Sequence, residues 1–301
     1  MACYSPLTGF RSKVINPETG KRRIVFRRDQ AYDPYDPIDV GCGQCIGCRL
    51  VKAYDWAARA MHEKRLCASA DFVTLTYDEK SLPESRSLEK SEFQLFMKRL
   101  RHHYGTGIRF MACGEYGSLT LRPHYHIILF NAGLERRFYK MAPGGQRLYF
   151  CAPLDLVWGK GLCVVGDVDY DSCSYVASYV CDKVTGEQAA SHYKRVSPDG
   201  RSYDVEPEFL LTSRRPGLGR GYVDKFGSEL LAHGNIIYKG RQAPIPRSYF
   251  NYLESIDLHR VAVLKRELRE KIVRSEQTTR RRVVREKVAL GRKSLKRKDV
   301  T

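Results

Sequence analysis

The sequence predicts an α+β fold: a central antiparallel (mixed) β-sheet of about five strands flanked by helices. Two observations carry that expectation. Short runs rich in β-forming residues recur at 72–77, 108–113, 125–130 and 162–168, with segments of helical apolar spacing between and after them. The composition is that of a folded chain, with 43% hydrophobic residues in 301.

Residues 1 to about 45 read as irregular or short-stranded, with Arg22-Arg23-Ile24-Val25-Phe26 strand-like and Asp33-Pro34-Tyr35-Asp36-Pro37 rich in turn formers. Leu50, Ala53, Tyr54, Ala57, Met61 and Leu66 then recur at helical spacing and predict a helix over 47–66. After the strand at 72–77 (Phe-Val-Thr-Leu-Thr-Tyr), Ser87 is positioned to cap a helix over 88–103, with Phe93, Phe96, Met97 and Leu100 on one face. The strands at 108–113, 125–130 and 162–168 follow, and then a helix over 172–184. Residues 190–250 are less periodic and hold a basic, glycine-rich loop, Arg214-Arg215-Pro216-Gly217-Leu218-Gly219-Arg220-Gly221. From Tyr252 the pattern is helical again, with Val261, Leu264, Leu268 and Ile272 three and four apart, and residues 292–301 are expected to be disordered. These shifts suggest three parts: a Cys-rich segment and helix at 1–66, a main domain at 67–250 and a basic helical or disordered tail at 251–301.

The net charge is +18, and residues 260–301 hold 16 of the 52 Lys and Arg but 5 of the 34 Asp and Glu. A concentrated cationic segment attracts polyanions by counterion release, nucleic acid first; a solvated, charge-rich helix is the plainer alternative. No stretch approaches the ~20 apolar residues that span a bilayer. Met1-Ala2-Cys3-Tyr4-Ser5-Pro6 lacks the apolar run of a signal peptide, so a reducing cytoplasm is the expected compartment. There the 10 cysteines are expected free or metal-bound.

Strand alternation puts His124 and His126 on one face, about 7 Å apart, with Tyr125 on the other. Two imidazoles on one face can hold one ion if a neighbouring strand supplies a third ligand, and Glu115 in Gly114-Glu115-Tyr116-Gly117 is the candidate. Nitrogen donors with a hard oxygen suit Mg²⁺ or Mn²⁺, with Zn²⁺ also admitted. The plainer reading is a pair of hydrogen-bonded strand histidines. Tyr175 and Tyr179 lie four apart, so on a helix both hydroxyls share a face, with Lys183 one turn further on. A tyrosine can act as a covalent nucleophile, and a neighbouring cation can lower its pKa or hold a phosphate. Otherwise the pair belongs to a core stripe with Val176 and Val180. Cys42, Cys45 and Cys48 have the spacing of tetrahedral zinc–thiolate turns, with Cys3 or Cys67 as fourth ligand, and an iron–sulfur cluster is also chemically open. Cys113, Cys151, Cys163, Cys173 and Cys181 read as small buried hydrophobes.

Taken together, these residues resemble the HUH superfamily of rolling-circle replication initiators. Phe72-Val73-Thr74-Leu75-Thr76-Tyr77 resembles its hydrophobic-Thr-Leu-Thr strand, His124-Tyr125-His126 its histidine–hydrophobe–histidine motif, and Tyr175, Tyr179 and Lys183 its tyrosine motif, in the same order. More narrowly, residues 1 to about 225 are similar to the initiators of microviruses, gokushovirus-like single-stranded DNA phages, in which a cysteine-rich segment precedes the nuclease. The resemblance implies that one tyrosine attacks single-stranded viral origin DNA, leaving a 5′-phosphotyrosine and a 3′-OH for host polymerase. The second tyrosine would cut the regenerated origin, the histidines would hold the divalent ion, and the released strand would be circularised. It also implies action in the bacterial host cytoplasm with host proteins such as a helicase, while Arg214, Arg215 and Arg220 are read as DNA contacts. The rival readings are a non-catalytic, zinc-stabilised nucleic-acid-binding protein and a metal-dependent phosphoesterase with no covalent intermediate.

Overall fold

The structure, a computed structural model, describes residues 3–298 apart from 118, 143, 180–182, 185–187, 197–199, 201 and 272. The chain divides into two compact units, residues 1–51 with 268–301 and residues 52–267. These differ from the divisions expected at 66 and 250. The N-terminal and C-terminal segments share a unit, a relation that composition along the chain does not carry.

The first unit contains β1 (Leu7–Ile15), β2 (Arg22–Val25) and β3 (Ile38–Val40), an antiparallel sheet in the order β2-β1-β3. Its buried apolar cluster is small: Phe10, Val25 and Ala31. Helix α1 (Ile46–Lys64) begins in this unit and continues into the second.

The second unit is built on a larger sheet with helices against both faces. In chain order its elements begin with β4 (Ala70–Thr76), α2 (Lys90–Tyr104), β5 (Arg109–Tyr116) and β6 (Pro123–Phe130). Then come β7 (Arg137–Met141), β8 (Arg147–Phe150), α3 (Ala152–Trp158), β9 (Cys163–Asp167) and α4 (Tyr170–Ser178). After α5 (Gln188–His192) and a small hairpin of β10 (Lys194–Val196) and β11 (Ser202–Asp204), β12 (Phe209–Thr212) completes a seven-stranded sheet in the order β12-β5-β6-β4-β9-β8-β7. All neighbouring pairs run antiparallel. The count exceeds the five expected because β7 is exposed along its length and β12 is short, so neither carries a clear buried alternation.

Strand β6 lies between β5 and β4 and is buried on both faces. Tyr125, Ile127 and Leu129 pack on one side with Val73 and Leu75 of β4, Phe93, Phe96, Met97 and Leu100 of α2, and Leu154 and Trp158 of α3. Ile128 and Phe130 pack on the other with Ala53, Ala57 and Ala60 of α1 and Cys173, Val176 and Ala177 of α4. Burying these large apolar side chains supplies about 1.5–3 kcal/mol each before entropy, which fixes the register: a slip of one residue would exchange the two faces.

Ser87 does not cap α2, whose N-cap position is Glu89; the Ser87 hydroxyl instead accepts from the amide of Glu206 at 2.9 Å. Residues after 212 are more regular than expected. They form α6 (Arg220–His233), the hairpin β13 (Asn235–Tyr238) and β14 (Arg241–Pro244), α7 (Tyr249–Leu253) and α8 (Leu258–Glu270). Val261 and Leu264 are buried in this part of the core, as their spacing predicts, whereas Leu268 is exposed and Ile272 lies outside the described residues. The last helix, α9 (Thr279–Lys298), extends through residues expected to be disordered, consistent with the good helix propensity of its Lys, Arg and Leu. No helix among the described residues is long and apolar enough to cross a membrane.

Candidate active site

The register of three central strands assembles the site. Glu115 of β5 stands opposite His124 of β6; Thr76 and Thr74 of β4 stand opposite His124 and His126 on the other side. Period-two alternation therefore turns Glu115, His124, His126, Thr74 and Thr76 to the α1/α4 face. Tyr125 turns to the other face, fully buried, where its hydroxyl lies 2.9 Å from that of Tyr77 and donates to the Glu89 carbonyl at 3.0 Å.

Glu115 Oε1 is the centre of the cluster. His124 Nε2 lies 2.5 Å from it, His126 Nε2 2.8 Å, and the Tyr175 hydroxyl donates to it at 3.3 Å. The same hydroxyl is 3.4 Å from His126 Nε2. The ligand atoms of Glu115, His124 and His126 all lie within 4.8 Å of one another, so two imidazole nitrogens and a carboxylate oxygen can face one ion. Glu115 and His126 are buried, while Tyr175 is 38% exposed, leaving a substrate access to its hydroxyl.

The outer contacts hold both rings. His124 Nδ1 lies 3.2 Å from the Arg122 carbonyl, which can only accept, so this nitrogen is the donor and Nε2 is the one aimed into the cluster. His126 Nδ1 lies 2.9 Å from Thr74 Oγ1, and its ring stacks on Phe72 at 5.5 Å between centroids and 11° between planes. Burial alone would raise the pKa of Glu115, but hydrogen bonds from both histidines outweigh it and hold the carboxyl below its ordinary value. For His124, burial lowers the pKa, yet the bond and charge of Glu115 raise it overall. His126 goes the other way, because its deeper burial prevails over the same carboxylate.

The tyrosines come from α4. Asp169 caps this helix in a reciprocal box, accepting from the Ser172 amide at 2.7 Å while the Ser172 hydroxyl accepts from the Asp169 amide at 2.8 Å. Val176 and Ala177 bury the opposite stripe, so Tyr175 faces the cluster. Tyr179, just past the helix end, stacks its ring on His126 at 6.1 Å and 15° and meets Tyr175 edge-on at 5.0 Å.

Lys183 departs from its expected place one turn further along α4. The helix ends at Ser178, Lys183 is exposed in a stretch without regular structure, and the Val184 amide donates to the Tyr193 hydroxyl at 2.9 Å, which is not a helical partner. Val180 and Cys181 lie outside the described residues. Arg214 and Arg215 are not brought to the cluster either. They follow β12, whose Thr212 pairs with Met111, and so lie at the end of the sheet opposite Glu115, about 20 Å away by strand rise. Arg220 Nε donates to Asp224 at 2.7 Å, and its guanidinium sits over the Tyr252 ring.

Thr74 and Phe72 touch His126 directly, although the sequence alone did not single them out as parts of the site. The signal was present: both lie on the same strand face as Thr76, within the Thr-Leu-Thr strand. Away from this cluster, the Sγ atoms of Cys3, Cys42, Cys45 and Cys48 also lie within 4.8 Å of one another, whereas Cys67 is elsewhere, its thiol bonded to the carbonyls of Lys64 and Ser69.

Residues 70–184, which contain the whole histidine–carboxylate–tyrosine cluster, match the model of the replication-associated protein ORF2 family. The chain is 32% identical over 218 residues to "Replication-associated protein VP4" of Bdellovibrio phage phiMH2K, an alignment covering 69% of this chain and 65% of that protein. It is 28% identical over 231 residues to "Replication-associated protein ORF2" of Spiroplasma virus 4, covering 72% and 69% respectively. With "Replication-associated protein ORF4" of Chlamydia phage 1 the identity is 28% over 193 residues, covering 58% and 48%. The chain thus spans just under two thirds of the phiMH2K protein. No solved structure matches it.

Proposed function

From a chain whose residues 70–184 belong to the replication-associated protein ORF2 family, we propose an initiator of phage DNA replication that nicks single-stranded origin DNA through a tyrosine. The observation that carries this reading is the approach of the Tyr175 hydroxyl to within 3.3 Å of Glu115 and 3.4 Å of His126. A nucleophile at a three-ligand divalent site with open positions suits phosphoryl transfer. Glu115, His124 and His126 would hold Mg²⁺ or Mn²⁺, which supplies Lewis-acid polarisation of the scissile phosphate. Tyr175 Oη loses its proton to solvent and bonds to phosphorus as the P–O3′ bond breaks; the 3′ oxygen takes up a proton. The products are a 5′-phosphotyrosine and a 3′-OH that host polymerase extends. Tyr179 is the second nucleophile, and rejoining reverses the chemistry. The setting is the host cytoplasm, with a host helicase as a further partner.

The test is covalent capture of labelled single-stranded oligonucleotides tiling the replicon that encodes the chain, in Mn²⁺. Adduct is expected with the wild type, with its amount reduced in Tyr175→Phe and abolished in Tyr175→Phe/Tyr179→Phe. His126→Ala is expected to lose cleavage while retaining DNA binding. No adduct with any oligonucleotide would favour the zinc-stabilised DNA-binding reading instead.

A further inference from the structure

Four cysteines meet where the first unit has little else to hold it. Cys3 is buried ahead of β1, Cys42 follows β3, Cys45 immediately precedes α1 and Cys48 lies in its first turn. The Sγ atoms of Cys3 and Cys42 are 3.6 Å apart, those of Cys3 and Cys45 3.9 Å, and all four lie within 4.8 Å. A tetrahedron of thiolates about one ion, with metal–sulfur bonds of about 2.3 Å, has edges of about 3.8 Å. The observed separations are those of a one-ion site. An iron–sulfur cluster sets irons and sulfides between its thiolates and holds them further apart.

The backbone is also arranged for sulfur that carries charge. The amides of Cys42 and Cys45 donate to the sulfurs of Cys3 and Cys42, both at 3.3 Å. Those of Tyr4 and Cys48 donate to Cys45 Sγ at 3.3 and 3.5 Å. Gly43, at φ 76°, gives the Cys42-Gly43-Gln44-Cys45 turn the left-handed residue that brings the Cys45 amide onto Cys42 Sγ. The start of α1 adds the positive end of a helix dipole. With a buried apolar cluster of only Phe10, Val25 and Ala31 in its sheet, this unit has the scant core that a structural metal commonly supports.

We propose that Cys3, Cys42, Cys45 and Cys48 bind one structural Zn²⁺ ion, tying the residues before β1 and after β3 to the first turn of α1. All four thiols release their protons to solvent on binding, and the closed four-sulfur shell leaves no position for substrate. The site is independent of the nicking reading, since it shares no residue with it.

The test uses the full chain purified under reducing conditions, with metal content measured by mass spectrometry. One equivalent of zinc is expected in the wild type and in His124→Ala/His126→Ala, which removes the other ligand set, and its loss in Cys45→Ser/Cys48→Ser. In case that variant fails to fold, organomercurial titration of the wild type is expected to release the zinc in step with four thiols. Cobalt exchanged into the site is expected to show the sulfur-to-metal charge transfer of tetrahedral thiolate coordination. Iron with acid-labile sulfide, a Cys3–Cys42 disulfide in place of metal, or zinc that disappears with the histidines would each overturn the proposal.

Discussion

Thr74→Val separates a role in orienting a ligand from a role in building the strand. The substitution keeps the β-branched shape and removes one hydroxyl, the group 2.9 Å from His126 Nδ1. For His126 Nε2 to present its lone pair to an ion, Nδ1 must carry the proton, and Thr74 Oγ1 is the acceptor that fixes that tautomer. Removing such an outer partner costs about 10–100-fold in metal affinity, or about 1.4–2.7 kcal/mol. Phe72 still stacks on the ring and limits its rotation, so the lower end is expected: about a tenfold weaker Mn²⁺ half-saturation, with a plateau of adduct formation near that of the wild type. Thr76→Val is the matched control. Thr76 lies on the same strand face, but its hydroxyl donates to the Leu162 carbonyl at 3.0 Å. The assay is DNA adduct formed against Mn²⁺ concentration for the three proteins. An unchanged half-saturation in Thr74→Val, or an equal shift in Thr76→Val, would refute the orienting role.

Three further outcomes are expected. His62 stacks on Tyr222, lies 2.9 Å from the Tyr249 hydroxyl, and is held neutral chiefly by burial, with Arg65 adding to the effect, so its pKa falls from 6.5 to about 4. Between those pH values the unfolded chain holds the extra proton, so this contribution is complete above about pH 6.5 and is lost as pH falls through 4, about 3 kcal/mol in all. Urea unfolding from pH 7 to 4 should show a shallower pH slope in His62→Gln than in wild type; parallel slopes would contradict it. Gly161→Ala would set a Cβ 2.2 Å from the Thr76 carbonyl oxygen at a φ of 146°, so a melting temperature within a degree or two of wild type would show that the β4 end tolerates the shift. Deleting residues 279–301, which spares buried Val261 and Leu264, should weaken single-stranded DNA binding and lower its salt slope, by about 0.7 for each phosphate no longer neutralised; an unchanged slope would make α9 a solvated helix.

What was legible in the sequence was local, and what was missed depended on distant packing. Helix α6 is hard to see in the sequence because Gly221 and Gly227 weaken its helical signal. Gly227 is there for a reason no periodicity records: a Cβ would meet Ile256 Cδ1 at 2.4 Å, across the close approach of α6 to the segment after α7. Strand β1 shows buried positions at Phe10 and Ser12 alone within a stretch that is otherwise mostly exposed. Lys183 differs in kind. Four-residue spacing continues on paper after Tyr179, but the helix does not, and the amide of the next residue, Val184, is bonded to Tyr193.

The ligand cluster occupies the middle ground. Alternation alone puts His124 and His126 on one face, and a hairpin of β5 and β6 alone makes Glu115 a neighbour, since six residues, 117–122, join the strands. What alternation cannot supply is the third strand. Thr74 reaches His126 because β4, distant in sequence from β6, pairs with it in a register set by the apolar faces of both strands. Tyr175 reaches Glu115 because α4 buries Cys173, Val176 and Ala177 against that same face. The cluster's chemistry is thus a consequence of core packing: the side chains that hold α4 and β4 to β6 also bring a phenol and a threonine hydroxyl to two histidines. A substitution that repacks Val176 should therefore perturb Tyr175 without touching any ligand, whereas one at Leu75, on the opposite face, should reduce stability before it alters the site.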